Sequence, residues 1–123
     1  MKRNIYLLAL FVMLFSLTGC GEVDKLICTQ VDSNLNVTHE ITIDYKNRNA
    51  TKFTNSFIFE NSDAAKQIEA YENFGVSKNG YKRKDNVLYQ TIDASNFNDI
   101  YGRYLRKKVE EKKYYENKGY NCE

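Results

Sequence analysis

Apolar and polar residues alternate most clearly along residues 36–45. One side of the alternation carries Val37, His39, Ile41, Ile43 and Tyr45, and the other carries Thr38, Glu40, Thr42 and Asp44. A period of two is expected for a β-strand with one buried face. Shorter runs predict strands at residues 26–31 and 51–60, and the turn-forming residues 32–34 and 46–49 separate the three strands. The pattern therefore predicts an antiparallel meander.

A helical period follows over residues 63–73. Its apolar stripe consists of Ala64, Ile68, Tyr71 and Phe74. Ser62 is the predicted N-cap, and Gly75 is the predicted end of the helix. Residues 81–84 and 86–93 then predict a hairpin, and because its second strand is apolar on both sides, we expect that strand in the interior of the sheet.

The last helical region runs from about residue 96 to residue 118. The stripe that we expect to dock on the sheet consists of Phe97, Tyr101, Tyr104, Leu105, Val109 and Tyr115. Gly102 is a candidate break that would divide the region into two helices. The predicted fold class is α+β: an antiparallel meander sheet of about 4–5 strands, with one central helix and a C-terminal helical region packed on it.

The N-terminus has the pattern of a bacterial lipoprotein signal. Lys2 and Arg3 are basic, residues 5–17 are apolar, and Leu17-Thr18-Gly19-Cys20 ends the segment. The apolar run is shorter than the roughly 20 residues that a transmembrane helix needs. An uncleaved anchor, or an ordinary signal peptide that happens to hold a cysteine, is the alternative interpretation.

Cleavage before Cys20 would divide the chain into three parts. Residues 1–19 are the predicted signal peptide, residues 20–25 the lipidated N-terminus with a short tether, and residues 26–123 a single α+β domain. Diacylglycerol on the Cys20 sulfur, with a palmitate chain on its amine, would hold the domain at the extracytoplasmic face of the cell membrane. Membrane lipid is thus a predicted partner, through Cys20.

The charge balance of the mature chain excludes some partners. The whole chain has 18 basic and 16 acidic residues, and loss of Lys2 and Arg3 with the signal leaves 16 of each. A nucleic-acid or anionic-lipid partner would want a basic surplus, which the mature chain does not have, so we predict neither partner from the composition. The predicted protein is a monomer whose further partner is an envelope protein or a cell-wall component.

Two cysteines remain after lipidation of Cys20. Cys28 lies in the first predicted strand and Cys122 is the penultimate residue, and outside the cytoplasm such a pair is expected to form a disulfide. Free buried thiols are one alternative. A metal pair is another, although His39 is the only histidine and the chain has no Cys-x-x-Cys.

Candidate chemistry is sparse. His39 falls on the predicted inward face of the second strand, where a histidine is most often a core or rim side chain with one hydrogen bond. The chain has no phosphate loop, no Gly-x-Ser-x-Gly and no His-Glu-x-x-His. We predict no enzymatic activity, no cofactor and no metal site. Tyr81 and Tyr114 are the predicted binding surface, because periodicity does not clearly bury them.

Several local strings resemble the YehR-like family of small bacterial lipoproteins, whose domain has no established function. They are Leu17-Thr18-Gly19-Cys20, Asp63-Ala64-Ala65-Lys66, and Thr91-Ile92-Asp93 followed by Asn96-Phe97. They cover the signal and roughly residues 60 to 100, and none of them is a catalytic motif. The resemblance implies a fold and no functional residues, and the Cys28–Cys122 pair is not implied by it.

Two functions remain open at this point. The first is a membrane-anchored, non-catalytic interaction module near the membrane surface, which predicts an exposed apolar patch of more than a few hundred Å² and no deep pocket. The alternative is a small-solute-binding lipoprotein that delivers its ligand to a membrane protein. It predicts a concave site of at least ~300 Å³ with convergent polar groups.

Overall fold

A computed structural model describes residues 22–70 and 80–123. In chain order, the elements are β1 (Val23–Asp32), β2 (Val37–Lys46), β3 (Asn49–Ile58), α1 (Ser62–Glu69), β4 (Lys82–Lys84), β5 (Val87–Asp93), α2 (Ala94–Tyr101), α3 (Lys108–Glu116) and β6 (Asn121–Cys122). The predictions for the signal, for Cys20, and for Tyr71, Phe74 and Gly75 lie outside the described residues. The α+β class and the antiparallel sheet are confirmed.

The six strands form one antiparallel sheet in the order β4-β5-β3-β2-β1-β6. The predicted meander corresponds to β1, β2 and β3, and β5 is an interior strand, as its two apolar sides predicted. Asn47 and Arg48 form the two-residue turn between β2 and β3, with φ angles of 52° and 69°. Positive φ at both turn positions gives the backbone a twist that matches the twist of paired strands.

The prediction of about 4–5 strands was too low by one, because β6 has only two residues. Such a short segment carries no periodicity that a sequence pattern can detect. Cys122 of β6 lies directly opposite Cys28 of β1, with a Cα–Cα distance of 4.1 Å and the two sulfurs 2.09 Å apart. β1 itself begins at Val23, three residues before the predicted start, so part of the expected tether belongs to the sheet.

The helices differ from prediction in two details. The N-cap of α1 is Asn61 rather than Ser62, and its side chain accepts a hydrogen bond from the Ala64 amide at 2.8 Å. Gly102 ends α2 with a φ of 73°, as expected of a residue that divides the last helical region. Residues 102–107 are not helical, so the single helical stripe does not exist and the predicted docking of Tyr104 and Val109 is wrong: they are 71% and 79% exposed.

One face of the sheet is covered by the helices, and its core has two parts. The larger cluster contains Leu26, Cys28, Ile41, Ile43, Tyr45, Phe53, Phe97, Tyr115 and Cys122. The smaller cluster contains Phe59, Ala65 and Leu88, with Val37, Phe57, Ala64 and Ile68 packed against it. Along β2, β3 and β5, each cluster lies toward a different end of the strand. The residues between them define the candidate site.

Candidate functional site

A polar row crosses the covered face of the sheet between the two apolar clusters. It consists of His39 on β2, Asn55 on β3 and Gln90 on β5. Asn55 and Gln90 are direct cross-strand partners, and they are only 8% and 5% exposed. Buried amides are costly unless they are hydrogen-bonded, so the partners of this row matter for both stability and function.

The row is part of a directional chain of hydrogen bonds. The Tyr120 hydroxyl donates to His39 Nδ1 at 2.5 Å, and His39 Nε2 donates to the Asn55 side-chain oxygen. Asn55 Nδ2 then donates to the Tyr81 hydroxyl at 2.7 Å. In a parallel contact, the Tyr101 hydroxyl donates to Gln90 Oε1 at 3.3 Å. The Asn55 oxygen can only accept, so the imidazole carries a proton on Nε2, and in the neutral form Nδ1 is left to accept from the Tyr120 hydroxyl.

Burial favours the same neutral form. Desolvation lowers the pKa of His39, and the hydrogen bond to Asn55 opposes that shift only in part. Burial also raises the pKa of Tyr81 to about 12 and raises the pKa of Tyr120. The imidazole is stacked on Phe57 with ring centroids 4.6 Å apart. His39 is therefore fixed in place as a neutral group that is held on both ring nitrogens.

No carboxylate or nucleophile contacts His39 within residues 22–70 and 80–123. Its two ring nitrogens already have partners, an aromatic hydroxyl and an amide. The His39 imidazole is a polar group at the edge of a neighbouring cavity. A ligand that enters the cavity could replace one of its two hydrogen-bond partners. Proton transfer to a substrate would first require one of these hydrogen bonds to break.

A cleft of about 750 Å³ opens beside the polar row. It lies between the β1–β2 turn, the end of β3 and helix α1. Its apolar lining consists of Val31, Leu35, Val37, Phe57, Phe59, Ala64 and Ile68, and its polar lining consists of Gln30, Asp32, Ser33, His39 and Gln67. The cleft is within the size range of small-molecule sites, which are mostly apolar and carry a few polar groups.

A smaller cavity of about 230 Å³ lies on the other side of His39. Its lining includes His39, Asn55, Arg103, Tyr114 and Tyr120. The two cavities therefore share His39. The larger one is mainly apolar, whereas the smaller one combines aromatic rings with a guanidinium group.

Tyr114 is surrounded by cations. The guanidinium carbons of Arg103 and Arg106 lie 4.2 and 5.0 Å from its ring centroid, and Lys118 Nζ lies 4.6 Å from it. Such contacts are attractive because the ring face is electron-rich. The predicted binding residue Tyr114 is thus a packing partner of basic side chains at the wall of the smaller cavity.

Glu111 holds these arginines in place. Its carboxylate is fully buried and accepts hydrogen bonds from Arg103 at 2.9 Å and from Arg106 at 2.9 Å. Burial alone would raise the pKa of Glu111, but the arginine hydrogen bonds outweigh burial and lower it. The ion pairs attach α3 to the loop that precedes it.

The structure brings together some of the residues singled out from the sequence. His39 and Tyr81 belong to one hydrogen-bond chain, and Tyr114 shares the smaller cavity with His39. Cys28 and Cys122 lie at bonding distance. Cys20 lies outside the described part of the chain.

Sequence reasoning missed Asn55, Gln90 and Tyr120. A signal for the first two was present, because each is a polar residue at an inward position of a strand whose other inward residues are apolar. No comparable signal exists for Tyr120, which reaches His39 only through the tertiary fold.

No helix in the described ranges is long and apolar enough to cross a membrane. Comparisons with protein-family models, with curated proteins and with solved structures found no match. The likeness to YehR-like lipoproteins therefore stays a prediction.

Proposed function

We propose that this protein is a lipid-anchored, extracytoplasmic, non-catalytic binding module, and that its ligand is a small, mainly apolar molecule with one polar group. The cleft of about 750 Å³ beside His39 carries this proposal. It exceeds the ~300 Å³ expected of a solute site. Of the two functions open from the sequence, the cleft supports the small-solute alternative.

The lining favours an apolar ligand. Seven of the twelve lining residues are apolar, and they come from β1, the β1–β2 turn, β2, β3 with the residue that follows it, and α1. A ligand that removes these side chains from water would gain on the order of 25 cal/mol for each Å² of apolar surface that is buried.

The polar residues set the orientation of the ligand. His39 and Gln30 lie on the side of the cleft toward the polar row, and the Gln30 side chain also donates to the Lys118 carbonyl at 3.2 Å. A single polar group on the ligand would face the Gln30 side chain, because both ring nitrogens of His39 already have partners, while its apolar part would lie against Phe57 and Phe59. The positions of the polar groups thus fix the orientation in which a ligand binds.

A fluorescent probe of this class tests the proposal. Anilinonaphthalene sulfonate has an apolar ring system and one polar group, and we expect it to bind the Cys20→Ser chain in a saturable manner at one site. Ala64→Phe fills the cleft and should weaken binding at least about tenfold, which corresponds to about 1.4 kcal/mol. Ala70→Phe is the matched control, because Ala70 is exposed and does not line the cleft.

The two variants separate the outcomes. Circular dichroism must show that both are folded like the parent chain. Non-saturable binding, or equal binding by the Ala64→Phe and Ala70→Phe variants, would contradict a ligand site in the cleft.

A protein partner is the second candidate. Val23, Ile27 and Val31 alternate along the uncovered face of β1 and are 72%, 36% and 69% exposed. The outer edge of β1 is paired with the C-terminal segment only from Ile27 to Thr29. A photo-cross-linking residue at Ile27 tests this candidate in cells, and a discrete adduct that Thr29→Asp on the same face abolishes would favour it.

A further inference from the structure

We propose that the end of the sheet from which the chain leads back toward Cys20 docks on anionic lipid headgroups. This end, the basal rim, is formed by Lys46, Arg48, Lys107, Lys108, Val23 and Val109. The inference rests on the lipid anchor in the proposed function, but not on the ligand cleft. Its occupant is a bilayer that contains anionic phospholipid.

The length of the tether brings the rim to the membrane. Cys20 precedes Glu22 by two residues, which span at most about 7 Å when fully extended. The headgroup region on each side of a bilayer is also about 7 Å deep. A domain whose sheet begins at Val23 therefore cannot stand clear of the headgroups once Cys20 is lipidated.

Three segments converge at this end of the molecule. The Asn47 amide donates to the Glu22 carbonyl at 2.8 Å, which joins the β2–β3 turn to the start of β1. Lys108 Nζ lies 2.9 Å from an Asp24 carboxylate oxygen, which joins the start of α3 to the same strand. A hollow of about 180 Å³ lies among these segments, with Arg48 in its lining.

The rim has a cationic surplus. Its acidic residues are Glu22, Asp24 and Glu110 in the first turn of α3, against four basic residues, and Lys108 pairs with Asp24. In the described part of the chain, Lys46, Arg48 and Lys107 make no ion pair. The mature chain is formally neutral, so this surplus reflects where charges are placed and not the overall composition. Basic side chains at a membrane surface are attracted to anionic lipid.

Exposed apolar residues accompany these charges. Val23 is 72% exposed and Val109 is 79% exposed, and both lie beside the start of β1. Apolar side chains flanked by lysines are typical of surfaces that insert shallowly into the interface of a bilayer. The proposal thus gives a role to Val109, which the sequence pattern had assigned to the core.

Docking through the rim determines where the ligand cleft lies. β1 has 10 residues and extends about 30 Å from the rim to the β1–β2 turn that borders the cleft. The cleft would then open on the side away from the membrane. Its ligand would arrive from the aqueous phase rather than from the bilayer that holds the anchor.

Tryptophan fluorescence tests the orientation, because the chain has no native tryptophan. Val109→Trp places the probe on the rim, and Asn34→Trp places it on the exposed β1–β2 turn as the matched control. The lipidated protein is reconstituted in phosphatidylcholine vesicles that contain phosphatidylglycerol and brominated lipid. We expect at least about threefold stronger quenching at position 109 than at position 34.

Several results would overturn this inference. Equal quenching at the two positions would mean that the sheet lies flat on the bilayer, and no quenching at either would mean that the domain stands clear of it. A blue shift of the Val109→Trp emission that depends on protein concentration without lipid would assign the rim to a second copy of the chain.

A charge test completes the experiment. In the Cys20→Ser chain, binding to anionic vesicles should fall about fivefold for each rim cation that is neutralised. Arg48→Gln with Lys107→Gln is the test pair, and Lys82→Gln with Lys84→Gln on the edge strand β4 is the control pair. Equal effects of the two pairs would contradict docking through the rim, while probe binding in the cleft would test the proposed function separately.

Discussion

The Tyr120 hydroxyl donates to His39 Nδ1 at 2.5 Å, although the two residues are 81 positions apart in the chain. Tyr120 reaches this position because β6, which begins at the next residue, pairs with β1 through Cys28 and Cys122. The Tyr120 backbone amide also donates to the Tyr115 carbonyl at 3.0 Å, which fixes the turn after α3. The C-terminal tail thus completes the polar row beside the cleft.

The protonation of His39 makes the stability of the domain depend on pH. Burial lowers the pKa of His39 below its ordinary value of 6.5, so the unfolded chain binds a proton at a higher pH than the folded chain does. The stability contributed by neutral His39 is complete above about pH 6.5 and is lost as the pH falls toward the folded-state pKa. We expect the Tm to decrease between pH 7.5 and pH 5.5.

His39→Gln provides the control for this titration, since glutamine keeps polar atoms but does not titrate. Differential scanning calorimetry of both proteins should give a smaller decrease in Tm for the variant over the same pH range. An equal decrease in the two proteins would show that the pH dependence arises elsewhere.

The Cys28–Cys122 link is expected to be a large source of stability. It closes a sequence separation of 94 residues, and loops of that size lower the entropy of the unfolded chain by an equivalent of about 4 to 5 kcal/mol. Reductant should lower the urea midpoint of the parent chain strongly. The Cys122→Ser variant should unfold at the lower midpoint with or without reductant.

Mass analysis of the protein without reductant checks the oxidation state directly. Two free thiols at Cys28 and Cys122 in protein recovered from the cell surface would contradict the disulfide.

The contribution of the buried ion network to stability can be tested by substituting Glu111, with its exposed neighbour Glu110 as the control. Glu111→Gln leaves the Arg103 guanidinium, which is 24% exposed, without its carboxylate, and the loss of hydrogen bonds to a charged group costs about 1.5–3 kcal/mol. Glu110 is exposed, so Glu110→Gln should change the free energy of unfolding by less than about 0.5 kcal/mol. Urea denaturation measures both, and equal small effects would contradict a structural role for the network.

Membrane attachment is expected to depend on Cys20. Cys20→Ser removes the site of the lipid, so the protein should move from the membrane fraction to the soluble extracytoplasmic fraction. Cell fractionation followed by immunoblotting measures this change. Retention of the variant in the membrane fraction would contradict lipid anchoring.

Much of the fold could be predicted because its information is local. The alternation along β2 and the turn at Asn47 and Arg48 are visible in the sequence, and Gly102 marks the division of the last helical region. The two-residue strand β6 could not be predicted, since its position depends on pairing with a strand 94 residues away.

The candidate site was only partly predictable. The alternation along β2 places His39 on the inward face. Asn55 is a polar residue between the apolar inward residues Phe53 and Phe57 of β3, and this position indicates a buried polar group. The cleft exists because α1 and the β1–β2 turn are separated on the sheet. This distance is set by the tertiary fold and cannot be predicted from a local sequence pattern. The exposure of Val109 likewise follows from the non-helical residues 102–107, after which α3 begins as a separate helix, and not from its own residue type.

Backbone amide NMR of the Cys20→Ser chain, titrated with anilinonaphthalene sulfonate, tests the central claim most directly. The account predicts that the perturbed amides cluster around the cleft, at residues 30–39, 57–59 and 64–68. Perturbations centred on Ile27 and the uncovered face of β1, or spread without any cluster, would contradict a ligand site beside His39.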